Sequence, residues 1–136
     1  MAASVANAHA ATAKEKAAET VLKALRCEQP MGQYKNVVKA VKTLGAKVDK
    51  EVQNEFHLPV PLELYGLPIT SIALSDEEAY IVEIKGVKTV DVAKAANATV
   101  GGRGYERETK HGILSVQDGG PGAVKLMCET VYKGKS

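Results

Sequence analysis

Val124-Lys125-Leu126-Met127-Cys128-Glu129-Thr130-Val131-Tyr132-Lys133 decides how the rest of the chain is read. Val124, Leu126, Cys128, Thr130 and Tyr132 alternate with Lys125, Met127, Glu129, Val131 and Lys133. Successive side chains of a strand point to opposite faces, so this period of two predicts a strand with one mostly apolar face. Just upstream, Gly119-Gly120-Pro121-Gly122 predicts a turn and residues 113–116 a partner strand. The expectation is a β-hairpin over 113–133 in an antiparallel sheet.

Working outward, residues 69–74 and 79–87 are rich in β-branched side chains around the polar Ser75-Asp76-Glu77-Glu78, which predicts a second hairpin. A helix across 69–84 is an open alternative. Residues 57–68 carry three of the five prolines and should be extended, with Leu62 and Leu64 alternating as in an edge strand. Residues 89–98 read as a short helix that Thr89 can cap.

Over residues 33–55, Val37, Val41, Leu44, Val48 and Val52 recur at helical spacing and predict one amphipathic helix. At about 100° per residue, Lys35, Lys39, Lys42 and Lys50 then share the opposite face. Residues 8–27 are Ala-rich with Lys14, Glu15, Lys16 and Glu19, which predicts a further helix. Pro30 separates these two helices. The expected architecture is a single α+β domain over 1–136. Residues 1–30 form its N-terminal helical extension. In residues 31–136 an antiparallel sheet packs against amphipathic helices, the 33–55 helix covering it with its valine stripe.

The 136 residues are 45% hydrophobic and 25% charged, enough for a core, with one Phe, five Tyr and no Trp, so that core must be aliphatic. A net charge of +2 permits an anionic partner without requiring one. No apolar run is long enough for a membrane-spanning helix, and no signal-peptide pattern precedes the first helix. The expected location is cytoplasmic or nuclear. Cys27 and Cys128 match no zinc or redox spacing, so both are expected reduced and buried. His9, His57 and His111 lack metal-ligand neighbours at the usual spacings, so no metal or cofactor is expected. Gly101-Gly102-Arg103-Gly104 fits neither dinucleotide nor P-loop spacing, and nothing in the sequence marks an enzyme.

Residues 101–111 instead read as a mobile cationic arm. Arg103, Arg107 and Lys110 supply charge and Tyr105 a ring able to stack on a base, with Glu106 and Glu108 interrupting the run. Arg103, Tyr105, Arg107 and Lys110, with the ribbon Lys35, Lys39, Lys42 and Lys50, are the candidate nucleic-acid contacts. The competing expectation is a non-catalytic assembly protein that self-associates through its first helix and sheet edges.

Gln29-Pro30-Met31-Gly32-Gln33-Tyr34 leading into an amphipathic helix resembles the Alba family of nucleic-acid-binding proteins. Ile84-Lys85-Gly86, the helix at 89–98 and the strands at 113–116 and 124–133 resemble that family's later order. Residues 62–66 followed by 68–84 offer a second register for the strand and helix. The chain departs from the family in its acidic Glu28-Gln29 turn and its Ala-rich first helix. The resemblance implies DNA or RNA binding by a dimer, with the strand-joining loop as an arm.

Overall fold

Strand β8 (Ala123–Thr130) lies near the middle of the sheet and explains how the rest assembles. It pairs with β7 (Gly112–Gly120) on one side and β4 (Ala79–Lys85) on the other. Tyr80, Val82 and Ile84 align with Cys128, Leu126 and Val124, and Leu114 and Val116 with Cys128 and Leu126. All of these side chains are buried, so the alternation in β8 extends across three strands as one apolar face.

The computed structural model describes residues 2–102 and 104–130, with side chains from residue 13 onward. Arg103, and Val131, Tyr132 and Lys133 of the expected strand, lie outside the described residues. The remaining elements are α1 (Ala2–Leu25), α2 (Tyr34–Thr43), β1 (Lys47–Val48), β2 (Glu55–Leu64), β3 (Leu67–Ser75), α3 (Thr89–Ala95), β5 (Thr99–Gly101) and β6 (Gly104–Glu108). The strands form one antiparallel sheet in the order β1-β2-β3-β4-β8-β7-β6-β5. The chain is thus α+β. Side chains of all three helices join the core-facing side chains of the sheet in a single cluster, so the helices cover one face and leave the other open.

Residues 69–84 are a hairpin, not a helix: β3 and β4 pair directly, and Glu78 closes their turn with φ of 62°. The Glu78 carboxylate is buried and accepts from the Gly32 and Gln33 amides at 2.8 and 3.1 Å. It therefore fastens the segment that launches α2 to the β3–β4 turn. Next to it, the buried Tyr80 hydroxyl has no partner among the described residues, and burial pushes its pKa upward. In β2, Pro59 and Pro61 fall where the register with β3 shifts, between His57 and Leu62, because proline cannot donate to a ladder.

The 33–55 helix is shorter than its periodicity predicts. It stops at Thr43, and Gly45 adopts φ of +84°. The Gly45 amide donates to the Lys42 carbonyl and the Ala46 amide to that of Val41, the hydrogen-bond pair of a Schellman helix end. Val37 and Val41 are buried, whereas Val48 and Val52 are more than half exposed, at 55% and 53%. The stripe continues in sequence after the helix has ended. The short helix α3 likewise begins without Thr89 as its cap: Lys88 holds that position and makes no side-chain cap bond. The Thr89 hydroxyl instead donates to the Asp118 carboxylate of β7.

The cysteines are bonded to each other, against the expectation of free thiols. Cys27 follows the last turn of α1 and Cys128 faces the core from β8, with Cα atoms 5.2 Å apart. Their separation of 101 residues conceals this proximity, which exists only once α1 lies across the sheet. A loop of this length loses closure entropy worth on the order of 4–5 kcal/mol when bridged. Ala17, Val21, Ala24 and Leu25 of α1 are buried with the sheet, so this helix is part of the core.

Candidate functional site

The two faces of the molecule differ in charge. On the helix-covered side, α1 and α2 form an antiparallel pair. Lys35, Lys39 and Lys42 stand exposed along α2, and Lys14, Lys16 and Lys23 along α1. Between the helices runs a groove of about 510 Å³, lined by Lys16, Thr20, Gln29, Gln33, Asn36 and Lys39 among others, with no acidic residue in its walls. Nearby Glu19 and Glu28 both pair with Arg26, at 3.1 and 3.2 Å, which offsets one of their two charges. The groove therefore offers ammonium and amide donors to an anion.

The sequence suggests eight contacts on one surface; the structure describes all of them but Arg103, and the fold separates those seven. Lys35, Lys39 and Lys42 share the exposed side of α2. Lys50 lies in the β1–β2 turn, because the helix ended before it. Lys110 is exposed in the β6–β7 turn, where Thr109 donates to the Cys27 carbonyl and so docks the turn at the end of α1. The glycine stretch is not an arm but the tight connection of β5 to β6. Gly104 has φ of +99°, and a Cβ there would approach the Val116 carbonyl oxygen to 2.9 Å. The backbone crossing alone requires this glycine.

Tyr105 and Arg107 align with Val116 and Leu114, which puts both on the core-facing side of β6. Tyr105 is half-buried against the core. Arg107 donates to the Tyr65 hydroxyl at 3.2 Å, and its buried Nε has no hydrogen-bond partner among the described residues. Burial pushes the Tyr65 pKa up, and the adjacent Arg107 charge opposes that shift. Both side chains are placed as packing residues.

The helix-free face carries Asp49, Glu55, Glu83, Glu106, Glu108 and Glu129 against Lys47, Lys85 and Lys125. At its β1 edge lies a constellation that sequence spacing does not reveal. His57 Nδ1 is 2.8 Å from Ser71 Oγ, its cross-strand neighbour, and His57 Nε2 is 2.7 Å from Asp49 Oδ1. Asp49 Oδ2 accepts the Glu51 and Val52 amides at 2.8 and 2.7 Å. The His57 hydrogen bond, then these amides, hold the Asp49 pKa down at about 2. A Ser–His–Asp chain has the hydrogen-bond order of acyl-transfer sites. Here, however, Ser71 lies within strand β3, paired with His57 of β2, and not on the sharp exposed turn that would aim backbone amides at an oxyanion. The only sequence trace of this cluster is the alternation of Glu55 and His57, which puts both on one face of a strand.

A further cleft, of about 870 Å³, opens beside the start of α3 and is bordered by Lys88, Thr89, Tyr105, Gln117 and Asp118. Its cation and its carboxylate offset each other, so it favours neither sign of ligand. No family model, curated protein or solved structure matches the chain.

Proposed function

We propose that the protein binds nucleic acid through the α1–α2 layer, with Lys35, Lys39 and Lys42 on phosphates and Lys16 facing Lys39 across the groove. One observation carries this reading: lysines stand on both walls of a groove with no acid among its described lining residues, while the helix-free face carries more carboxylates than lysines. Such a charge division orients a polyanion toward the helices. The resemblance to the Alba family suggests the same partner class. Lys50, Lys110, Tyr105 and Arg107 are not needed for it. The Cys27–Cys128 bridge favours an oxidising compartment over cytoplasm or nucleus, since such bonds persist there; non-reducing mass spectrometry of the native protein detecting free thiols would reverse that assignment.

Removing one lysine–phosphate interaction flattens the plot of log affinity against log salt by about 0.7–0.9. Changing Lys35, Lys39 and Lys42 together to Gln should weaken DNA or RNA binding and lower the slope by roughly 2–3. Tyr105→Ala should leave the slope unchanged. Salt-insensitive binding, or a triple variant indistinguishable from the parent, refutes the reading.

A second reading has its own support. Ala73, Ile81 and Met127 align across β3, β4 and β8 on the helix-free face, a partly exposed apolar row. Self-association through this row would bury it. Light scattering that reports a monomer in the parent rules this out. A dimer that Met127→Glu dissociates supports it.

A further inference from the structure

The geometry points to a site for a transition-metal dication of the zinc type, made by Asp49, Glu55 and His57 at the β1–β2 edge. One ligand atom from each side chain lies within 4.8 Å of the other two. Ligands about 2.0–2.2 Å from a shared zinc ion are separated by roughly 3.3–4.4 Å. Small rotations of exposed side chains bring the three into that range. The donor set is one imidazole nitrogen and two carboxylates. Imidazole selects zinc-like ions over calcium and magnesium, which take oxygen donors.

The surroundings orient each ligand. His57 Nδ1 lies 2.8 Å from Ser71 Oγ and Nε2 2.7 Å from Asp49 Oδ1, so without an ion the Nε2 proton is donated to the carboxylate. Zinc would take the place of that proton on Nε2, and the ring would then carry its proton on Nδ1 and donate it to Ser71 Oγ, which orients the imidazole. Asp49 Oδ2 is occupied by two backbone amides, so Oδ1 is the oxygen left for the metal. The Asp49 amide donates to the Glu55 carbonyl at 2.8 Å, which closes the turn and brings the second carboxylate alongside the first. Lys47 is the cross-strand neighbour of His57 and exposed, free to swing its ammonium outward. With three protein ligands on an open surface, water completes the coordination.

Isothermal titration of the full-length oxidised chain with zinc chloride tests the site. Both cysteines are in the disulfide, so thiolates do not compete. One zinc ion per chain should bind, and millimolar magnesium or calcium should not displace it. His57→Gln and Glu55→Gln should each weaken binding by at least tenfold. Ser71→Ala should weaken it by about 10–100-fold, since it removes only the partner that orients the imidazole. His111→Gln should leave the affinity unchanged. Circular dichroism confirms that each variant is folded, and Glu55→Gln, which keeps the side-chain shape, serves if His57→Gln is not. Zinc binding that is undetectable, or that survives Glu55→Gln at full strength, overturns the assignment.

Discussion

Residues 34–85 and 89–130 repeat one plan: a helix, a short strand, then three longer strands. The sheet order is palindromic about the β4–β8 contact, so the halves meet strand to strand. Their helix ends correspond. In the first half Gly45 takes φ of +84° and the strand starts at Lys47. In the second Asn97 takes φ of 57° and the strand starts at Thr99. Ala46 and Ala98 each donate back to a carbonyl five residues earlier, and Val48 and Val100 follow, both exposed. Outside this frame the halves diverge. Helix α2 exposes Lys35, Lys39 and Lys42, whereas α3 exposes Asp91 and Lys94. Across the β1–β2 edge stand Asp49, Glu55 and His57. Across the β5–β6 edge Thr99 faces Glu106, without a histidine. The shared frame comes from helix termination and strand register, and the functional candidates come from exposed positions that the frame leaves unconstrained.

The largest expected effect tests where the first helix stops. Val41→Asp places an unpaired charge in the core and should cost more than about 4 kcal/mol, enough to unfold many domains of this size. Val48→Asp, on the same sequence stripe but beyond the helix, should change stability by no more than about 0.5 kcal/mol. Denaturant melts of the two variants compare them directly. Equal losses would mean that the stripe is buried throughout.

A smaller difference separates the two helix ends. Gly45→Ala must hold a left-handed conformation and set its Cβ 3.3 Å from Pro59 Cγ, so it should cost about 1–2 kcal/mol. Asn97→Gly relieves the same conformation in the second half and should be neutral or slightly stabilising. Thermal melts in which Gly45→Ala matches the parent would break the correspondence.

The smallest effect concerns Asp49. Folding lowers its pKa from the ordinary 3.8 to about 2, so folding favours the ionised form. Its contribution is complete above about pH 4 and disappears as pH falls toward about 2. Between those values Asp49→Asn should lose less stability than the parent does. Parallel acid titrations with the same slope for both would show that the His57 and amide contacts do not hold the carboxylate.

Much of the fold was legible because it rests on local rules. The alternation in β8 holds from Val124 to Thr130, since a strand buried on one face cannot slip register without exposing its apolar set. The polar turn at 75–78 also kept its local meaning, whereas the extended reading of 57–68 missed the reversal at Tyr65-Gly66 that folds β2 onto β3. The helix at 33–55 was overextended because valine periodicity outweighed Gly45, although a glycine after the last helical turn is itself a stop signal. The lysine ribbon survived only over Lys35, Lys39 and Lys42, the part that remained helical.

By itself, then, the sequence determined the strand alternation of the C-terminal hairpin, the break at Pro30 and a largely aliphatic core, to which Phe56 and Tyr80 add buried rings. Each depends on neighbours a few residues apart. Tertiary structure decided what depends on distant residues meeting. Cys27 reaches Cys128 only after α1 crosses the sheet. Tyr105 and Arg107 turn inward only because β6 pairs with β7 in one register. Asp49, His57 and Ser71 converge only when three strands align. Sequence spacing carries no distance information across a turn whose register is still open, so these three could be found only in the fold.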